Sequence, residues 1–180
     1  MKSVFQILIS LVVSSISFAD GSGVAVELDL GRSTQLVSFN NALTVENTAS
    51  FMDLKVTYAW PTGIYAGGKY ATLQNISITG NDSRAGLAVV VGYRLIGFYT
   101  DFSYFLFSSL ARGNGYTYDS GSSYSLTFGY NMTVISSLYL GVGVVFNSFS
   151  WTQSQFGGNR VIATNNMTDI YPSLNIGYNF

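Results

Sequence analysis

The sequence predicts an all-β protein: one sheet of eight antiparallel strands, running up and down and closed into a transmembrane barrel. Three observations predict it. Apolar side chains recur with a period of two through eight separate runs, the spacing at which successive strand residues point to opposite faces. Charged residues make up 9% of the 180-residue chain and aromatics 16%, whereas ordinary water-soluble domains carry about 25% charge. Too few charges are present to coat an exterior facing water. Finally, past the N-terminal stretch every apolar run is broken by Gly, Asn, Asp or Ser before the ~18 residues a membrane-crossing helix needs. In hydrocarbon, a chain that is not helical must pair its backbone groups in a closed sheet.

Met1 to Ala19 has a basic residue (Lys2), an apolar core from Val4 to Val13 and the small-residue ending Ser17-Phe18-Ala19. That is the layout of a secretory signal cut before Asp20. The expected organisation is therefore a signal peptide over 1–19 and one barrel domain over 20–180. A first strand, Gly23 to Gly31, alternates Val24, Val26, Leu28 and Leu30 with a polar face carrying Glu27 and Asp29. Arg32 to Ser50, rich in Ser, Thr and Asn, reads as a long loop. Phe51 to Trp60 sets Met52, Leu54, Val56, Tyr58 and Trp60 against Asp53, Lys55 and Thr57. Trp60-Pro61-Thr62-Gly63 is a short turn, with Pro fixing φ and Gly accepting a positive one.

The third strand, Ile64 to Leu73, is weaker and puts Tyr65, Gly67 and Lys69 on its minor face; a loop over Gln74 to Ser83 follows. Arg84 to Leu95 sets Leu87, Val89, Val91, Tyr93 and Leu95 against Gly86, Ala88, Gly92 and Arg94, and ends in the tight turn Ile96-Gly97. Phe98 to Phe107 opposes Phe98, Phe102, Tyr104 and Leu106 to Tyr99, Asp101 and Ser103, with Phe105 breaking the polar side. After a loop from Ser108 to Gly121, the sixth strand (Ser122 to Asn131) leads through Ser136-Ser137 to the seventh (Leu138 to Phe149). A last long loop, Ser150 to Thr168, precedes the eighth strand. Long and short connections thus alternate strictly.

Charge placement decides which face is outside. The strand charges Glu27, Asp29, Asp53, Lys55, Lys69, Arg84, Arg94 and Asp101 all fall opposite the Val/Leu/Tyr set, although a shift of one residue would flip any of them. The minor face is otherwise small, as the narrow interior of an eight-strand barrel requires. A lipid-facing Arg or Lys at mid-bilayer would cost about 2–4 kcal/mol. Glu27, Asp29, Asp53, Lys55, Lys69, Arg94 and Asp101 are therefore expected as a lumen charge cluster, with Glu27 paired to Lys55 and Asp53 to Lys69. Gly92-Tyr93-Arg94, Gly129-Tyr130-Asn131 and Gly177-Tyr178-Asn179 recur near the ends of alternate strands, and Tyr58 holds the matching place in the second. With Trp60 and Phe180, Tyr58, Tyr93, Tyr130 and Tyr178 are expected to form an aromatic girdle at one membrane boundary.

The last ten residues, Tyr171-Pro172-Ser173-Leu174-Asn175-Ile176-Gly177-Tyr178-Asn179-Phe180, put Leu174, Ile176, Tyr178 and Phe180 on one parity and small polar residues on the other. This resembles the small eight-stranded outer-membrane barrels of Gram-negative bacteria, of the OmpA-barrel, OmpX and OmpW types, whose last strand carries such alternation and a terminal Phe. The resemblance spans the chain from residue 20 and rests on pattern rather than on a specific motif. It implies outer-membrane lipid and lipopolysaccharide as surroundings, handover to the barrel-assembly machinery through the C-terminal strand, periplasmic termini with the girdle on that side, and long loops outside the cell that meet an extracellular ligand.

Function follows mainly by exclusion. With no Cys and no His, a disulfide framework and a zinc site are not expected, and a net charge of −1 gives no electrostatic case for nucleic acid. The acyltransferase, deacylase, phospholipase and omptin-type sites that the resemblance brings up would lack their base; Ser-Lys or paired-carboxylate arrangements stay formally open. The expectation is a non-enzymatic barrel without cofactor or metal, its charged lumen plugged, acting in envelope structure or surface interaction. The alternative is a narrow, porin-like channel for ions or small apolar solutes.

Overall fold

A computed structural model describes residues 22–36, 46–77 and 80–180. The expected signal segment, residues 1–19, lies outside the described residues. The strands are β1 (Gly23–Leu36), β2 (Glu46–Ala59), β3 (Ile64–Ser77), β4 (Gly80–Leu95), β5 (Phe98–Ala111), β6 (Thr117–Ile135), β7 (Leu138–Phe156) and β8 (Asn159–Asn179). Each pairs antiparallel with its sequence neighbour, and β1 closes on β8. The fold is thus the all-β, eight-stranded, up-and-down barrel that the period-two pattern predicts.

The faces are those that charge placement demands. Val89 and Val142 are 45% and 56% exposed on the outside, while Lys55 and Asp53 are 3% and 2% exposed within. The outer face changes character at one level: Ser50, Gln74 and Ser83 are cross-strand neighbours, as are Ser122, Ser150 and Asn166. Between this polar rim and the short turns the exterior is a band of Val, Leu, Ile, Phe and Tyr.

The expected long loops are mostly strand. β7 runs to Phe156 and β8 starts at Asn159, so only Gly157 and Gly158, both at positive φ, separate them; Ser150 to Thr168 is a hairpin. The expected loop over Ser108 to Gly121 shrinks to residues 112–116, and β3 and β4 reach Ser77 and Gly80. β1 continues to Leu36 and β2 begins at Glu46, which leaves only residues 37–45 of Arg32 to Ser50, and these lie outside the described residues. The reason is physical: beyond the apolar band the regular alternation vanishes, yet backbone N–H and C=O groups still pair. A membrane crossing takes about 9–11 residues, and β8 has 21. At the opposite end the turns are tight; Ile96 and Gly97 have φ of 50° and 82°, the hairpin shape that matches strand twist.

Inside, the two ends of the barrel differ. Toward the short turns (the turn end) the interior is ionic. Toward the extended hairpins (the hairpin end) it is apolar, in two clusters: Ala71, Ala88, Phe105, Leu110, Phe149 and Trp151, and Ala49, Phe51, Leu73, Val145 and Tyr171. Phe105 breaks the polar pattern because it packs inward, its ring centroid 5.0 Å from that of Phe149. A bulge follows it: Leu87 pairs with Phe107 but Ala88 with Phe105, so Leu106 and Phe107 both face outward and the parity of β5 reverses.

Candidate functional site

The ionic interior is built by register. Glu27 pairs with Lys55, which pairs with Lys69, and the next inward step sets Asp29 beside Asp53. Five charged residues on one side of a narrow ring are thereby fixed before any side chain chooses a rotamer. Lys55 Nζ is the hub. It contacts Glu27, lies 3.1 Å from Asp29 Oδ2, and reaches across the lumen to Asp101 Oδ2 at 3.3 Å. Lys69 Nζ is 2.8 Å from Asp53 Oδ2. Both pairs expected from the sequence are therefore in contact, and the Glu27–Lys55 pair is joined to a larger network.

Arg94 is the remaining expected lumen cation and lies at the edge of this network, hydrogen-bonded to Tyr139. Its closest guanidinium nitrogen is 3.8 Å from Glu27 Oε2, and its plane lies near the rings of Tyr139 and Tyr65, 4.9 and 5.5 Å from their centroids. Burying several charges is tolerable only when opposite signs and hydrogen bonds satisfy one another. Tyrosines contribute to that satisfaction. Tyr139 donates to Glu27 Oε2 at 2.8 Å, Tyr65 donates to Asp101 Oδ2 at 3.3 Å, and Asn175 donates to the Tyr99 hydroxyl at 2.7 Å.

These inward tyrosines are partners that the sequence pattern did not single out, though a signal was present. Tyr65, Tyr99 and Tyr139 are each the second residue of a strand that follows a short turn, and their cross-strand partners are Gly92, Gly129 and Gly177. A Cβ on any of these three glycines would collide with the facing tyrosine ring. The Gly-Tyr repeat thus marks two things at once: a glycine that seats a neighbour's ring inside, and a tyrosine that points outward.

The outward members, Tyr58, Tyr93, Tyr130 and Tyr178, pair with Val24, Ile64, Phe98 and Leu138 respectively and form a ring of aromatics at the turn end. Trp60 stacks edge-on against Tyr58 at 5.2 Å and Phe180 against Tyr178 at 4.9 Å.

A second ion pair, Arg84 with Asp169 at 2.5 Å, sits within the hairpin end. It joins β4 to β8 across the barrel, with the Arg84 guanidinium 3.8 Å from the centroid of Phe149. Sequence reasoning placed Arg84 inside but not its partner, because Asp169 directly follows a segment without alternation. Among the described residues no group of three or more acidic side chains is disposed to hold a metal ion.

Closed topology, an apolar outer band and an ion-paired interior define the fold of the small outer-membrane β-barrels. Among solved structures the chain superposes on the Neisserial surface protein A, NspA, with a TM-score of 0.60 and 13% identity, covering 88% of this chain and 98% of that one. It also aligns with OprG of Pseudomonas aeruginosa at a TM-score of 0.49 and 11% identity, over 89% and 97% of the two chains. At 13% identity the likeness to NspA is one of fold. No protein-family model and no curated protein matches the chain.

Proposed function

We propose that the protein is a non-enzymatic integral barrel of the Gram-negative outer membrane whose interior is closed and which acts in envelope structure or at the cell surface. The observation that carries this reading is the interior itself: a network of paired ions at the turn end abuts two aromatic-rich apolar clusters at the hairpin end. An ordered stack of this kind serves rigidity, since an eight-strand ring is only just wide enough for its own side chains. The apolar band bounded by Ser50, Gln74 and Ser83 supports a lipid-facing exterior. In this orientation the girdle of Tyr58, Trp60, Tyr93, Tyr130, Tyr178 and Phe180 and both termini are periplasmic. The C-terminal strand is what the assembly machinery receives, and the hairpin end meets lipopolysaccharide or an extracellular ligand. That end presents an exposed surface at Phe156, Val161 and Ile162.

Cell fractionation with heat-modifiable gel mobility tests the location; recovery in the aqueous phase without detergent would overturn it. Planar-bilayer recording tests closure, and the expected result is no reproducible conductance. A channel is the second reading. It is favoured by Ser103, Ser125, Asn147 and Ser173, buried inward groups each with a polar atom that has no protein hydrogen-bond partner, a polar column that water can enter. Steady conductance that changes with Lys69→Ala or Asp101→Ala would establish it.

A further inference from the structure

The turn end repeats one joint three times. Ile64-Tyr65, Phe98-Tyr99 and Leu138-Tyr139 open β3, β5 and β7; each outward residue pairs with a girdle tyrosine, and each inward tyrosine lies over a glycine of the next strand. The fourth equivalent is Val24-Ala25 on β1. Val24 pairs with Tyr58 as its counterparts do, but inside Ala25 faces Thr57, so neither the ring nor its glycine seat is present.

At this fourth position the barrel has a cavity of about 150 Å³, bounded by Ala25, Thr57, Trp60, Tyr65, Arg94 and Phe180. A cavity of about that size accommodates a benzene ring. Three of its walls are aromatic, and Arg94 is its cation. The guanidinium is hydrogen-bonded to Tyr139, but its Nε makes no hydrogen bond, and its approach to Glu27, 3.8 Å, is longer than a hydrogen bond. A buried donor left in that state favours an anionic acceptor, because a charge-assisted hydrogen bond is stronger than a neutral one.

We propose that the fourth seat binds a small aromatic carboxylate. Its ring takes the place the absent tyrosine would fill, against Tyr65 and the Trp60–Phe180 rim, and its carboxylate accepts from Arg94. The ligand enters from the turn end, so the site is separate from any surface on the extended hairpins.

The test titrates benzoate into the folded barrel in detergent, read by calorimetry and by saturation-transfer NMR, with toluene as the uncharged counterpart. Saturable benzoate binding is expected, with toluene much weaker. Arg94→Gln should weaken benzoate by about tenfold or more. Ala25→Tyr with Thr57→Gly rebuilds the fourth joint and should abolish binding while leaving heat-modifiable mobility intact; if that pair does not fold, Ala25→Leu fills the same space. The proposal is overturned by any of three results: no saturable benzoate binding to the unaltered protein, toluene binding as tightly as benzoate, or unchanged binding in a folded cavity-filling variant.

Discussion

The two ends of the barrel interior are closed by different means. At the turn end, Lys55 holds Glu27, Asp29 and Asp101 together, and Lys69 holds Asp53. At the hairpin end, Phe105, Phe149 and Trp151 pack in series, with centroids 5.0 Å and 5.4 Å apart, and the Phe51 ring centroid lies 3.8 Å from that of Tyr171. The ionic end is strongly interdependent: removing Lys55 takes one shared counter-ion from three buried carboxylates and leaves only Glu27 with another, Arg94. At the apolar end the loss on truncation scales with the volume removed. Arg84 and Asp169 belong to neither pattern; they form one ion pair inside the apolar end, capped by the face of Phe149.

This contrast can be broken or sharpened by substitution. The largest effect is expected for Lys55→Met, which takes the shared cation from three acidic groups; loss of one partner of a buried pair costs about 3–5 kcal/mol, and here the upper end is expected. Urea unfolding of the refolded barrel measures it, and a loss no greater than that of a surface substitution would show that the lumen ions are freely hydrated. Phe149→Ala should cost about 3 kcal/mol in the same assay, at the low end for a buried Phe because Arg84 can settle into the space. A result matching Lys55→Met would mean that both ends respond alike and the contrast is false.

Gly177→Ala probes the joints between the two faces. The added methyl meets the Tyr139 ring, and overpacking of this kind costs about 1–3 kcal/mol. Gly177→Ala combined with Tyr139→Ala should recover part of that loss, while no recovery would place the strain elsewhere. The smallest effect is expected for Arg160→Ala. Arg160 donates to both Asp119 carboxylate oxygens at 2.8 Å on the exposed part of the β6, β7 and β8 extensions, and an exposed pair is worth about 0–1 kcal/mol. Raising the salt concentration should erase even that difference.

Much of the barrel is legible in the chain. The strands in the apolar band, the tight turns at Trp60–Gly63 and Ile96-Gly97, and the inward parity of Lys55, Lys69 and Asp101 all follow from residues within a few positions of one another. The extended hairpins were not legible. Over Ser150 to Thr168 apolar and polar residues no longer alternate, and composition alone does not distinguish a water-exposed strand from a loop. Nor was the aromatic interior. Phe51, Phe105, Phe149 and Trp151 look like violations of a small polar face until the bulge at Phe105 to Phe107 and the tilt of the strands bring them together.

By itself the sequence determined the alternation, and with it which side chains leave the sheet on the lipid side and which turn inward, because that choice is made residue by residue along one strand. Only closure of the ring decided who meets whom. Arg84 finds Asp169 and Lys55 finds Asp101 across strands that are not neighbours, and the seat without its tyrosine lies where β1 meets β2 beside the closing strand. Such contacts depend on the curvature, stagger and register of all eight strands together, and no local stretch of sequence carries that information.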